Sequence, residues 1–370
     1  MTDTIYIRPI ALAESPQSEE GGAIRLGGSL AWASRFALIH RRDGRIVSRQ
    51  RLGARDVPGA IDALPAGLAA EAQAQWADLA RVHPPLQCGG RVLRLDQPLV
   101  MGILNVTPDS FSDGGKFLDK PETALEYAHA MLEAGAAIID VGGESTRPGA
   151  AAVWEGDEER RVVPVIEHLA AAGAAISIDS RRASVIGAAL RAGAHVVNDV
   201  SAMRHDPRTP ALVAQSGVPV VLMHAPGDAS DLHDDGTYRD VVLDVFDMLR
   251  ESRDAALAAG IARNRILIDP GIGFGKTLAE NLALINALPI FHALGQPILF
   301  GASRKRLIGA LAGEVPAHRR MPGSLMLAVQ AAQAGAHILR VHDVPETVQA
   351  MQVWRGLRDA ALTDFSQIAE

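Results

Sequence analysis

The chain has little of what marks a secreted, metal-clustered or membrane-bound protein. Cys88, the one cysteine among 370 residues, excludes an intrachain disulfide framework and a cysteine metal cluster. It reads as a small, partly buried hydrophobe. No apolar run approaches the ~18 residues of a membrane span. Met1-Thr2-Asp3-Thr4 opens without the basic, then apolar, stretch of a secretory signal. A net charge of −7 and a pI near 6.0 argue against binding a nucleic-acid duplex, while leaving room for a local basic pocket. These absences predict a soluble protein of a reducing cytoplasm, with neither nucleic acid nor membrane as partner.

What is present is a repeat of form. Eight short apolar runs end in polar residues: Leu99–Leu104, Ala136–Val141, Ala175–Ile178, His195–Val197, Val218–Met223, Arg265–Ile268, Pro297–Phe300 and His337–Val341. At or just past their ends stand Asn105, Glu144-Ser145-Thr146-Arg147, Asp179, Asn198-Asp199, His224, Asp269, Ser303-Arg304-Lys305, and Arg340 with His342. Ala/Leu-rich helices alternate with the runs, and several end in Ala-Gly, as at Gly135, Gly173, Gly193, Gly260 and Gly335. Eight such units over ~260 residues predict a TIM (β/α)8 barrel, whose active site is built from the carboxyl ends of its strands. A doubly wound sheet would instead gather its chemistry at one switch point.

The first 85 residues read as a small α+β extension, with residues 86–370 forming the barrel. Phe36–His40 and Arg45–Ser48 flank Asp43-Gly44, a hairpin turn pair. Pro58 and Pro65 open helices over Gly59–Leu64 and Ala66–Val82. Leu86–Leu95 predicts a second hairpin around Gly89-Gly90. The extension is expected to cover the barrel's bottom face or an edge, far from the chemistry.

Individual residues are ambiguous. Asn105 alone is an Asx turn as readily as a ligand for a hard cation beside substrate phosphates. Asp179, Asn198 and Asp269 could read a heterocycle with an amino-pyrimidinone edge, or cap helices. Asp269–Thr277 mimics a phosphate loop, but Pro270 stands where that motif needs glycine. A glycine-lined pocket floor, with Asp269 inward and Phe274 offering a flat face, suits it better. The Asp-x-His-x-x-Gly form at Asp231–Gly236 matches some cobalamin-binding domains, yet lacks their surrounding domain. Arg304, Lys305, Arg306, Arg340 and His342, after the last two strands, form a positive mouth for an anionic substrate.

Taken together, the segments from Met101 to Gly115 and Gly142 to Gly149, Ser177-Ile178-Asp179, Asn198-Asp199-Val200, Leu222-Met223-His224, Asp269–Lys276, Ser303-Arg304-Lys305 and Arg340–Val344 resemble, in family order, the dihydropteroate synthases. That family condenses 6-hydroxymethyl-7,8-dihydropterin diphosphate with p-aminobenzoate in folate biosynthesis and is the sulfonamide target. The resemblance implies that Asp179, Asn198, Asp269 and Lys305 hold the pterin, that Met223 is a substrate-binding residue, and that Asn105 binds Mg²⁺. It implies that Arg340 and His342 grip the diphosphate, that Thr146 contacts the same substrate, and that Arg147, Pro148 and Phe274 form the p-aminobenzoate site. A homodimer is implied as well. Arg306 departs from the family, standing where serine is common. Two other readings compete: a methyltetrahydrofolate-type methyltransferase barrel, and a non-catalytic pterin-binding paralogue whose extension serves a partner.

Overall fold

The computed structural model describes residues 3–15, 22–107, 121–144, 153–227, 234 and 236–363. The chain begins with a sheet of β1 (Asp3–Ala13), β2 (Ile24–Arg25), β3 (Trp32–Arg42) and β4 (Arg45–Gly53). Helices α1 (Val57–Asp62) and α2 (Ala66–Leu79) follow. Asp43 and Gly44 both have positive φ, 47° and 77°, which matches the twist of the flanking β3–β4 pair. β1 was not anticipated: Pro9 interrupts its apolar pattern, and its pairing with β3 slips between Pro9 and Leu12. The outer edge of β1 is covered by α2. There the Gln75 amide accepts from Ile7 N at 2.9 Å and donates to the Ile5 carbonyl at 2.7 Å.

A short hairpin, β5 (Leu86–Cys88) and β6 (Arg91–Leu93), comes next. Its Leu86, Cys88 and Leu93, with Leu95, cluster against one apolar residue at the base of each of eight strands, from Met101 round to Ile338. It therefore plugs the amino-terminal end of the barrel with side chains that find no other cover.

The barrel strands are β7 (Leu99–Asn105), β8 (Ile138–Gly142), β9 (Ile176–Asp179), β10 (Val196–Asp199), β11 (Val220–Met223), β12 (Ile266–Asp269), β13 (Leu299–Phe300) and β14 (Ile338–Val341). β7 to β12 pair in parallel in sequence order, β13 pairs with β14, and β14 returns to β7. An Ile268–Ile298 bridge joins β12 to the β13 segment and closes the ring. Near-continuous apolar strands suit this arrangement because both faces are covered. The outer layer is α3 (Pro121–Glu133), α4 (Glu155–Ala171), α5 (Ala183–Ala192), α6 (Thr209–Ser216), α7 (Val241–Ala258), α8 (Leu278–Asn286), a short α9 (Arg306–Leu311), α10 (Met321–Gln333) and α11 (Val344–Leu362). The five glycines of the Ala-Gly signature all have φ between 72° and 109°, the left-handed region that lets a helix end.

The extension lies along α7 and shares one apolar core with the barrel. The Tyr6 ring meets Phe246 edge-on at 5.6 Å, and Phe246 stacks on Phe291 at 6.4 Å. Near the barrel's base, His337 donates to the Gly27 carbonyl at 3.0 Å and accepts from Ile298 N at 2.9 Å. The extension also makes one contact at the other end of the barrel. The Asp43 carbonyl accepts from Arg239 at 3.0 Å, immediately before α7, on the face where the barrel strands end.

Candidate active site

The polar ends of the strands converge because register puts them at one level. Asn105 pairs across to Gly142, Gly142 to Asp179, and Asp179 to Asn198; Met223 pairs to Asp269. Asp179, Asn198 and Asp269 are buried, and Asn105, Lys305, Arg340 and His342 half-buried. None of the three acidic or amide residues caps a helix: the residues before α5, α6 and α8 are Arg182, Arg208 and Thr277.

Arg340 organises one side. Its Nε donates to Asp140 Oδ2 and its Nη2 to Asp179 Oδ2, both at 2.6 Å. Asn198 Nδ2 donates to the same Asp140 oxygen at 3.1 Å. Asp140 escaped the sequence reading. It is fully buried in mid-β8, and its Oδ1 has no partner among the described residues. The only signal was a carboxylate inside the run Ile138-Ile139-Asp140-Val141. Burial pushes the Asp179 carboxyl up, to about 7; Arg340 opposes that shift and Asp140 adds to it.

Asp269, Lys305 and Phe274 form the other side. Asp269 Oδ1 accepts from Gly271 N at 2.7 Å, which tightens the glycine-rich turn. Lys305 donates to the Ile272 carbonyl and carries its ammonium 4.4 Å from the centre of the Phe274 ring. Burial lowers Lys305 to about 8 against the pull of Asp269. Burial also raises Asp269, with Lys305 opposing.

His224, whose strand end had no assigned task, holds this floor together. The Lys276 ammonium makes three bonds of 2.9 Å, to His224 Nδ1 and to the Gly271 and Phe274 carbonyls. His224 is neutral, because burial and then Lys276 hold it well below the usual histidine range. Its Nδ1 is therefore free to accept. Burial, with Lys305 nearby, lowers Lys276 itself to about 7. Met223, Val200, Ala225 and Phe274 make a small apolar cluster beside this pin.

The positive mouth is narrower than the sequence suggested. Arg304 forms a bidentate pair with Asp343, 39 residues on, and Arg306 is an exposed first residue of α9. His342 contacts Ser303 Oγ through both N and Nδ1 at 3.1 Å. Asp199 serves its own loop, accepting from Ser201 N at 2.7 Å and Met203 N at 3.1 Å. Thr146, Arg147 and Pro148 lie outside the described residues, as does most of Asp231–Gly236.

A family model described as pterin binding enzyme matches residues 101–342. The dihydropteroate synthase of Escherichia coli (strain K12) is 46% identical over 265 residues, covering 71% of this chain and 93% of its own length. The Xanthomonas albilineans dihydropteroate synthase with 4-aminobenzoic acid superposes with a TM-score of 0.70 at 49% identity, covering 75% of this chain and 99% of that one. The same organism's enzyme in complex with 7,8-dihydropteroate gives 0.67 at 46% identity, covering 74% and 99%.

Proposed function

The chain belongs to the pterin-binding enzyme family, and from that premise we infer that it is a dihydropteroate synthase, joining p-aminobenzoate to 6-hydroxymethyl-7,8-dihydropterin diphosphate with release of diphosphate. The observation that carries this reading is the convergence of buried Asp179, Asn198 and Asp269 with half-buried Lys305 at the carboxyl ends of one barrel's strands. Two carboxylates, an amide and an ammonium complement the donors and acceptors of an amino-pyrimidinone edge. Methyltransferase and non-catalytic readings gain no comparable support.

As the C–O bond to diphosphate breaks, positive charge builds on the pterin methylene and spreads into the ring. The buried Asp179 and Asp269 carboxylates favour that charge. Arg340 holds Asp140 and Asp179 through Nε and Nη2, and we assign its Nη1 to a diphosphate oxygen, with His342, two residues on, as a second contact to the same group. Phe274 offers a flat wall to the arylamine, which attacks as a neutral nucleophile and needs no strong base. We assign Thr146 to the pterin diphosphate, and Arg147 and Pro148 to the arylamine side.

Among the described residues, no group of three or more His, Cys, Asp or Glu could hold a metal. Asn105, half-buried at the end of β7 beside Gly142, suits a different mode: one protein oxygen plus substrate phosphates, which Mg²⁺ prefers. A bound Mg²⁺ would neutralise the growing charge on the leaving diphosphate.

We further propose a barrel unit of residues 86–370 with a separate extension of residues 1–85, a cytoplasmic location, and a homodimer. No helix among the described residues is long and apolar enough to cross a membrane. Met326 on α10 and Val353 and Leu357 on α11 are 61%, 62% and 68% exposed, an apolar surface that a second copy would cover.

Purified protein given the dihydropterin diphosphate, p-aminobenzoate and Mg²⁺ should release diphosphate only when both organic substrates are present. No release above background would overturn the assignment.

A further inference from the structure

The family match begins at residue 101, so the extension's task is not given by the family. Its contacts suggest one. Asp244, in the first turn of α7, spends its two carboxylate oxygens on different parts of the molecule. Oδ1 takes the Arg41 guanidinium from β3 at 2.5 Å. Oδ2 accepts from the backbone N–H of Arg239 at 2.8 Å and of Asp240 at 3.2 Å. Asp240 in turn caps α7 through Val242 N and Leu243 N. Arg239 closes the link in the other direction by donating to the Asp43 carbonyl at the tip of the β3–β4 hairpin.

Just upstream, the same segment reaches the site. Gly236 N donates to the Gly275 carbonyl at 3.3 Å, and the Tyr238 hydroxyl lies 3.4 Å from that oxygen. Gly275 is hemmed in by Pro226 and by the Asp234 carbonyl; a Cβ there would collide with both. Gly275 sits between Phe274, the wall, and Lys276, the pin. An unbroken chain of contacts therefore runs from Arg41 through Asp244 and residues 236–240 to the loop that carries Phe274.

We propose that the N-terminal extension positions the Phe274 wall of the arylamine site, with Asp244 as the joint and Arg41 and Arg239 as its ties. The proposal rests on the reading of Phe274 as the arylamine wall. A wall that drifts costs orientation of one substrate and leaves the other's contacts intact. Arg41 and Asp244 are therefore positioning residues.

The test uses the full chain with Arg41→Gln, Arg239→Ala and the conservative Arg41→Lys. Arg41→Gln should raise KM for p-aminobenzoate roughly fivefold while KM for the pterin diphosphate and kcat stay within about twofold. Arg239→Ala should move in the same direction, and Arg41→Lys should recover part of the loss. An unchanged KM for p-aminobenzoate in folded variants, or equal rises in both KM values, would overturn the proposal. Hydrogen exchange reads the same link without turnover. Peptides spanning 236–240 and 271–277 should exchange faster in Arg41→Gln than in wild type, and unchanged exchange there would overturn the link even in an enzyme without synthase activity.

Discussion

Two lysines contact the loop that bears Phe274, and their surroundings give them different duties. Lys305 stands over the ring with Asp269 as its counter-charge, whereas Lys276 is used up on two carbonyls and a neutral imidazole. A lysine loses charge as pH rises through its pKa, so kcat/KM for the pterin diphosphate should fall as pH passes about 8, the value to which burial lowers Lys305. A profile measured from pH 6 to 9.5 that stays flat would contradict that role. Lys305→Ala and Asp269→Asn should each abolish turnover while circular dichroism stays native. Lys276→Met removes only the pin, so KM for p-aminobenzoate should rise roughly tenfold with the fold retained. Asp140 and Arg304 mark where residue-level reading stopped. Asp140 hides in mid-strand, and the partner that neutralises Arg304 is set by folding, not by spacing.

The elements were easier to read than their joints. Parallel strands covered on both faces leave long apolar runs, and helix ends demanding positive φ leave glycine, so all eight β/α units were visible. Proline and a register slip hid β1, and the extension's seat on α7 depends on pairs such as Arg41–Asp244, 203 residues apart. Gly271 illustrates a joint that tolerates no side chain: its φ is +67° and a Cβ would strike the His224 carbonyl. Gly271→Ala should cost about 2 kcal/mol or more in urea denaturation and most of the activity. At the base, His292 and His337 pack edge-to-face at 5.6 Å, and burial holds them neutral, at about 3 and about 4. An unfolded histidine gains its proton near 6.5, so these two destabilise the fold progressively as pH falls from about 6.5 toward 4. His292→Gln removes one such titration, so Tm should fall less between pH 7 and 5 than in wild type. A fall as steep as wild type's would count against this account of the base.

At the scale of the whole molecule, a chain of net charge −7 encloses a site whose charges are almost all matched. Asp140, Asp179 and Asp269 stand against Arg340 and Lys305, so the site can meet a charged leaving group and a developing cation in turn. The exposed apolar stripe of α10 and α11 belongs to this scale too. Val353→Asp with Leu357→Glu should give a monomer by analytical ultracentrifugation, and an unchanged sedimentation coefficient would exclude that face as the dimer contact. The most direct test of the central claim is product formation by the barrel site itself. Wild type and Lys305→Ala are incubated side by side with dihydropterin diphosphate, isotopically labelled p-aminobenzoate and Mg²⁺, and labelled 7,8-dihydropteroate is followed by mass spectrometry. Wild type should carry label into the product, and the variant none above background. Equal labelling by both, or none by a folded wild type, would contradict the central claim.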